Sequence, residues 1–344
     1  MDDSALVRKL IVTALGEAGD IEVVATARDG LDALVKVDEH QPDVVTLDIE
    51  MPNLDGLGAL ARIRERHPRM PVIMFSTLTE RGASATLEAL SKGASDYVTK
   101  PSNTGSVREG LESVREQLIP RIRALAGMRQ IAPELRARPK PVATRPAGTK
   151  PPAGRPDVLL IGCSTGGPDA LAKLLPQLPA DLGVPVLVVQ HMPPVFTTML
   201  AQRLDKVAAL TVREGKDGDV PKAGEVLIAP GDWHMRLKSV AGRPQVVLDQ
   251  GPQENFCRPA VDPLFRSAAE VYGNHAVALI LTGMGQDGLV GVQQLSEKGV
   301  PVYVQDEASS VVWGMPGAVA HAGLADKILP IPELAAAVVR AVRR

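Results

Sequence analysis

Between Gly127 and Pro156 the chain carries seven prolines and seven arginines or lysines around a single acid, Glu134. Such a stretch has no periodic apolar face and favours extended, solvated backbone, so it cannot be part of a packed core. It cuts the 344 residues into two blocks that must each bury a core of their own. The organisation expected is a domain over 1–126, a flexible linker over 127–156 and a second domain over 157–344. At roughly 150 residues per domain the length fits, and 45% hydrophobic residues are enough for two interiors. The linker's positive charge reads as a solubilising tether.

Several function classes are disfavoured at once. Forty acidic against 38 basic residues leave a formal net charge of −2, without the positive field that non-specific nucleic-acid binding needs. Cys163 and Cys257 are too few for a disulfide framework or a zinc site, so a reduced, cytoplasmic setting is expected. The opening Met-Asp-Asp-Ser is unlike a signal peptide, and apolar runs such as 186–189 and 276–281 are far too short to span a membrane. Neither membrane insertion nor a nucleic-acid partner is expected.

In the first block helical and strand-like patterns alternate. Apolar residues at 6, 7, 10, 11, 14 and 15 keep the helical period behind Ser4 as N-cap. Further helices are expected near 30–40, 56–67, 83–92 and 106–125, with strands over 21–27, 44–47, 72–75 and 97–99. That alternation predicts a parallel α/β sheet. Asp48, Ser76 and Lys100 then follow strand C-terminal ends on one edge, beside Asp2 and Asp3. Clustered carboxylates repel unless a divalent cation screens them, and an oxygen-only set suits Mg²⁺. Asp55, before Gly56, reads as a turn residue and not as a ligand.

The set Asp2-Asp3-Ser4, Leu47-Asp48-Ile49-Glu50-Met51-Pro52, Ser76-Thr77 and Lys100-Pro101 resembles a response-regulator receiver domain of flavodoxin-like fold. The resemblance implies that Asp48 accepts a phosphoryl group from a CheA-type histidine kinase. It also implies that Asp2, Asp3, Asp48 and the Glu50 backbone carbonyl hold Mg²⁺, and that Ser76 and Lys100 form the switch. In-line phosphoryl transfer needs only positioning and charge neutralisation, which a metal and a lysine supply. Receivers begin with a hydrophobic strand before the acid pair, whereas here only Met1 precedes it, so the first strand is expected to be missing. A mis-assigned start codon is the expectation that follows.

The second block resumes the alternation, with strands expected at 158–161, 186–190, 276–281 and 302–305. Helices are expected over 168–175, 197–206, 262–272, 288–298 and 331–343, giving a doubly wound, mainly parallel α/β domain. Residues 225–229, 235–237 and 246–249 read as an antiparallel insert at the sheet edge. The first strand runs into Gly162-Cys163-Ser164-Thr165-Gly166-Gly167-Pro168, a glycine-rich turn that presents Ser164 before a helix N-terminus. Taken alone, that turn could hold a nucleophile or cradle a phosphate. His191 and Asp287 also follow strand ends on this edge, which permits a Ser–His–Asp triad. Its order differs from that of α/β-hydrolases. His234, His275 and His321 are rival bases, less well placed, and Cys163 reads as a small buried hydrophobe.

Gly162-Cys163-Ser164-Thr165-Gly166-Gly167, Gln190-His191-Met192-Pro193-Pro194, Arg258-Pro259-Ala260-Val261-Asp262 and Thr282-Gly283-Met284-Gly285-Gln286-Asp287-Gly288 together resemble the CheB family of chemotaxis protein-glutamate methylesterases. With the receiver in front, the resemblance covers essentially the whole chain. It implies hydrolysis of glutamate methyl esters on methyl-accepting chemotaxis receptors, deamidation of receptor glutamines, and control by phosphorylation. Ser164 would be the nucleophile, His191 the base and Asp287 its orienting acid, with backbone N–H groups near Thr165 and Met284 for the oxyanion. No cofactor is implied for the esterase reaction, and a monomer is expected. Thr165, Met284 and Arg258 are candidate groove residues. Cys257 stands where a histidine is common in the family, which puts a groove role there in doubt. The alternatives are a response regulator whose second domain only binds a partner and, less favoured, a transcriptional regulator.

Overall fold

The structure is a computed structural model describing residues 1–100, 107–130 and 155–343. It comprises two compact units, Met1–Arg136 and Ala137–Arg344. Pro101 and most of the expected linker, residues 131–154, lie outside the described residues.

The first unit runs α1 (Ala5–Gly16), α2 (Gly30–His40), β1 (Val45–Asp48), α3 (Gly56–Arg66), β2 (Val72–Ser76), α4 (Glu80–Ser91), β3 (Asp96–Thr99) and α5 (Val107–Gln130). The strands pair in parallel in the order β1-β2-β3. Four helices open on a side-chain cap: Ser4 accepts from Val7 N, Asp29 from Asp32 N, Asp55 from Gly58 N and Thr79 from Gly82 N. Each cap satisfies a donor the helix leaves unpaired and contributes about 1 kcal/mol. Asp55 is therefore the turn residue expected of it. Helix α5 continues to Gln130, into the stretch expected to be linker, because Leu118, Ile122 and Leu125 still bury one face.

One expected strand does not form. Residues 21–27 make no ladder, and the sheet has three described strands where a receiver would have five. The segment's contacts toward β1 are few. Only Met1 and Asp2 stand between this segment and β1: Asp2 N donates to Ala27 O at 3.1 Å, Asp48 N to Met1 O at 2.9 Å, and the Met1 ammonium to Thr46 O at 2.9 Å. Beyond them, a cavity of about 610 Å³ opens between residues 20–26 and 41–46. Backbone pairing cannot be replaced from within the segment, so its extended residues stay unladdered.

The second unit contains β4 (Val158–Cys163), α6 (Gly167–Leu174), β5 (Val186–Gln190), α7 (Phe196–Asp205), β6 (Thr211–Glu214), β7 (Glu225–Ile228), β8 (His234–Val240), β9 (Arg243–Asp249), α8 (Val261–Val271), β10 (Ala276–Ile280), α9 (Leu289–Glu297), β11 (Val302–Gln305), α10 (Gly314–His321), β12 (Lys327–Leu329) and α11 (Ile331–Val342). Seven strands form one sheet, β12-β11-β10-β4-β5-β7-β6, and every pair in it is parallel.

The segment 225–229, expected in the antiparallel insert, is instead a parallel strand of this sheet, between β5 and β6. Among the named strands of the described residues only β8 and β9 pair antiparallel, as a separate hairpin tied to α8 by Leu237 N donating to Ser267 Oγ at 3.0 Å. Strand direction depends on how the chain returns to the sheet, which local periodicity does not encode. Val261, Leu264, Phe265 and Ala268 of α8 join the fully buried residues of β4 and β10 in the core.

From β4 the chain builds outward through β5 on one side, then later through β10 on the other. The carboxyl end of β4 is thus a topological switch point, where open α/β sheets form their crevice.

Candidate active site

Ser164 stands immediately after β4, where Cys163 is in register with Gln190 of β5 and Gly162 with Ile280 of β10. Its main chain is pinned from three sides. Ser164 N donates to Thr282 O at 3.0 Å, while Ser164 O accepts from Gly167 N at 2.7 Å and from Gln190 Nε2 at 3.0 Å. Gly166, at φ +79°, takes the left-handed turn into α6 that a side chain would resist. On the other side Gly283 lies so close that a Cβ there would be 2.9 Å from Ser164 Cβ and would collide with Met315 Sδ. The segment carrying Met284 is therefore held against the serine by the lack of a side chain at 283.

His191 follows β5 in step with Ser164, its N–H donating to Cys163 O at 3.2 Å. Its Nε2 is 2.7 Å from Asp287 Oδ2. Asp287 is buried and fully engaged. Oδ2 also accepts from Val261 N at 2.6 Å, and Oδ1 accepts from Gly288 N at 2.9 Å, Asn255 Nδ2 at 3.0 Å and Asp262 N at 3.2 Å. Burial works against its charge, but His191 and the amides of Val261 and Asp262 outweigh it and hold the carboxyl below the ordinary range. Burial of the His191 ring likewise opposes its charged form. The Cys257 sulfur and Asp287 outweigh that and push the imidazole up to about 10.

The structure pairs the side chains of His191 and Asp287 and sets Ser164 on the adjoining strand end, next to the Cys163 carbonyl that His191 N reaches; Thr165 follows Ser164 and Met284 lies three residues before Asp287 in the chain. Thr165 is buried, and its carbonyl accepts from Thr282 Oγ1 at 2.9 Å. The rival histidines stand elsewhere. His234 is buried between Pro252 O at 2.9 Å and Ala260 N at 3.2 Å, which uses both ring nitrogens. His275 lies at the opposite end of its strand from Asp287 and contacts Arg155 O at 3.1 Å. His321 ends α10, edge-on to Trp313. Cys163 is the buried apolar residue expected, its thiol pushed far up by desolvation. The Arg258 guanidinium is taken up by Asp232 at 2.6 Å and by the Gln250 and Gly251 carbonyls at 3.1 and 2.8 Å. Its charge is engaged within the loop that carries Asp232 and residues 250–251.

Three residues near the triad escaped sequence reasoning. Asn255 bridges Asp287 and Asp262. Asp262 is a second buried carboxylate, pushed up to about 6 by burial and by its neighbour Asp287. Cys257 Sγ lies 3.4 Å from His191 Nδ1, a contact with the imidazole that the doubt about a groove role at 257 did not anticipate. Its signal was adjacency to a quoted motif, without any indication of which way the loop folds.

In the first unit Asp2, Asp3 and Asp48 offer oxygens within 4.8 Å of one another. Lys100 Nζ lies 2.7 Å from Asp48 Oδ2 and 3.1 Å from Asp2 Oδ2, yet both buried oxygens lack a well-directed hydrogen bond. Burial, helped by Asp2, pushes Asp48 up to about 6 against the pull of Lys100. A cluster of carboxylate oxygens from Asp2, Asp3 and Asp48, with one lysine to balance it, is a donor set that a hard dication such as Mg²⁺ fits. Ser76 is buried at the end of β2 with its hydroxyl donating to Gly82 O at 3.1 Å. Glu50 turns its carboxylate out to Arg81, 3.4 Å away, and lines the same cleft of about 660 Å³ as Asp3, Asp48, Ser76 and Lys100.

Comparison with known proteins bears on both units. The pattern of the family described as CheB methylesterase matches residues 159–338, and that of the response regulator receiver domain matches residues 1–112. A protein of Nocardioides sp. named protein-glutamate methylesterase/protein-glutamine glutaminase is 50% identical over 100% of this chain and 94% of its own length. A protein of the same name from Trichodesmium erythraeum is 47% identical, covering 99% of this chain and 97% of itself. The crystal structure of the Thermotoga maritima CheB methylesterase catalytic domain aligns with a TM-score of 0.53 at 43% identity, covering 54% of this chain and 99% of that domain.

Proposed function

The chain belongs to the CheB methylesterase family and carries a receiver domain, and on that footing we propose that Ser164, His191 and Asp287 carry out its hydrolytic reaction. It is a protein-glutamate methylesterase and protein-glutamine glutaminase. The observation that carries the residue assignment is the 2.7 Å contact of His191 Nε2 with Asp287 Oδ2, beside a serine on the adjoining strand end.

The reaction follows from the geometry. Because Nε2 is committed to Asp287, Nδ1 of His191 is the nitrogen that takes the Ser164 proton as Oγ attacks the side-chain carbonyl of a glutamate methyl ester. Asp287 stabilises the imidazolium that forms. The oxyanion develops near the N-terminus of α6 and the Met284 segment, where main-chain N–H groups favour negative charge. Collapse breaks the C–O bond, and His191 returns its proton to the departing methoxide, giving methanol. Water repeats the sequence to free glutamate and Ser164. With glutamine the leaving group is ammonia. The substrate class is the methylated or amidated side chain of a chemotaxis receptor.

Receiver domains accept a phosphoryl group in an Mg²⁺-dependent reaction, which implies a phosphodonor kinase. Here Asp48 is the acceptor, Asp2, Asp3, Asp48 and the Glu50 carbonyl would hold the Mg²⁺, and Ser76 and Lys100 would respond to the phosphoryl oxygens. The ion would neutralise charge on the phosphoryl group. The donor is a CheA-type histidine kinase, and the phosphorylated receiver activates the esterase. Among the described residues no helix is long and apolar enough to cross a membrane. We place the protein in the cytoplasm as a monomer.

Methanol release from methylated receptor fragments, with and without a small phosphodonor and Mg²⁺, tests both halves. Release that needs Ser164 and rises with the phosphodonor is the expected result. Release unaffected by Ser164→Ala overturns the assignment of the nucleophile, and release indifferent to the phosphodonor overturns activation through Asp48.

A further inference from the structure

Cys257 is held where it stands by a turn that pays for its shape. Glu254 and Cys257 exchange both backbone hydrogen bonds, Glu254 N to Cys257 O at 3.1 Å and Cys257 N to Glu254 O at 2.9 Å. The two residues between them, Asn255 at φ +51° and Phe256 at φ +61°, are both left-handed. Two positive φ angles define a type I′ turn, a backbone that disfavours a bulky residue such as Phe256.

Anchors on both flanks keep the turn in place. Glu254 is clamped by Arg266 through contacts of 2.7 and 2.8 Å, and Asn255 Nδ2 bonds Asp287 Oδ1 at 3.0 Å and Asp262 Oδ2 at 3.2 Å. The turn leaves Phe256 96% exposed and directs the adjacent sulfur to within 3.4 Å of His191 Nδ1. With Nε2 taken by Asp287, Nδ1 is the nitrogen that Ser164 requires.

We infer that Cys257 is a positioning residue for the general base: its sulfur holds His191 Nδ1 in the resting enzyme, and Ser164 must displace that contact to be deprotonated. The inference rests on the reading of His191 as base. The contact makes the sulfur a gate on the working nitrogen. It also stabilises the protonated ring, which cannot accept the serine proton. Charged groups facing the ring come from two elements: Asp287 after β10, and Cys257 before α8. Behind Asp287 stand Asp262 and Arg266 of α8, whose opposite charges act on it in opposite directions.

Two measurements on the full chain test the gate. The first is the pH dependence of ester hydrolysis by the wild type, Cys257→Ala and Cys257→Ser. The acidic limb, where His191 loses its proton, moves in Cys257→Ala to lower pH, toward the ordinary histidine value near 6.5. Well down that limb the variant's rate, as a fraction of its plateau, exceeds the wild type's by up to about tenfold for each unit moved. Cys257→Ser, which keeps a hydrogen-bonding group but no readily formed anion, lies between. Coincident limbs for wild type and Cys257→Ala overturn the inference.

The second is the ultraviolet thiolate band, followed against pH in wild type and in His191→Ala. Cys163 is buried with its thiol pushed far up, so a band near neutral pH reports Cys257. Thiolate that forms at lower pH in wild type than in His191→Ala supports the gate, and superimposable titrations contradict it without any need for an active variant. Failure of the underlying reading looks different: Ser164-dependent hydrolysis persisting at full rate in His191→Ala removes the base itself.

Discussion

Asp262 N donates a 3.2 Å hydrogen bond to Asp287 Oδ1, so two carboxylates share the N-terminus of α8 within one hydrogen-bonded cluster. The end of α8 supplies main-chain donors to Asp287, with Val261 N reaching Oδ2 at 2.6 Å, whereas Asp262 Oδ1 accepts from Gly291 N of α9 at 2.7 Å. The two respond oppositely: Asp287 is held low by His191 and the amides despite burial, and Asp262 is pushed up to about 6. One remains an anion for the histidine while the other bears the strain of like charge.

A stability measurement reads that strain. A carboxyl whose folded value is raised binds a proton more tightly in the native state, so its contribution is fully present below the unfolded value near 3.8 and is lost as pH rises through about 6. Asp262→Asn removes this term. Relative to the variant, the wild type should lose on the order of 2 kcal/mol across that window, followed by denaturant unfolding at several pH values. Parallel curves for the two proteins would show that Asp262 bears no such load.

At the receiver site Lys100 Nζ reaches both Asp2 Oδ2, at 3.1 Å, and Asp48 Oδ2, at 2.7 Å. Lys100→Ala leaves two buried carboxylates facing each other and should destabilise the first unit by about 3 kcal/mol in the absence of divalent ions. Added Mg²⁺ should restore more thermal stability to the variant than it adds to the wild type, because it replaces a cation there and competes with one here. Equal Mg²⁺ responses in the two proteins would place the ion elsewhere.

Gly283→Ala probes how tightly the nucleophile is held. The new methyl would press on Ser164 Cβ, which is part of a pinned main chain, and on the more pliable Met315 Sδ. A displacement of the order of 1 Å at a reacting atom costs about 10²-fold in rate. The expected change is a loss of that size in kcat with KM moved much less, measured as steady-state methanol release. A variant with unchanged kcat would mean that the serine has room the packing does not show.

The site was legible largely because strand-end motifs are local. Ser164, His191, Asp287, Asp48, Ser76 and Lys100 each follow a short apolar run, and a parallel sheet puts such ends on one edge whatever the strand order. What escaped depended on partners remote in sequence. Residues 21–27 carry a strand's composition but pair with nothing along β1, since only Met1 and Asp2 intervene. Residues 225–229 look the same in either direction, and Thr211–Glu214, where only Val212 is buried, carries too little apolar signal to read as a strand. Helix α10, with Gly314, Pro316 and Gly317 in its first turns, runs against helix propensity and is maintained by burial of Met315 and Val319. Cys257 and Asn255 sit on a turn flanked by the Glu254–Arg266 clamp, an ion pair that no hydrophobic periodicity signals.

The central claim is that His191 activates Ser164. A fluorophosphonate reacts only with a serine whose proton is being taken, so the adduct can be located by mass spectrometry of the intact chain and its peptides. A single adduct on Ser164, formed orders of magnitude more slowly in His191→Ala, is the predicted result. Labelling at another residue, or labelling of Ser164 at an undiminished rate without His191, would contradict it.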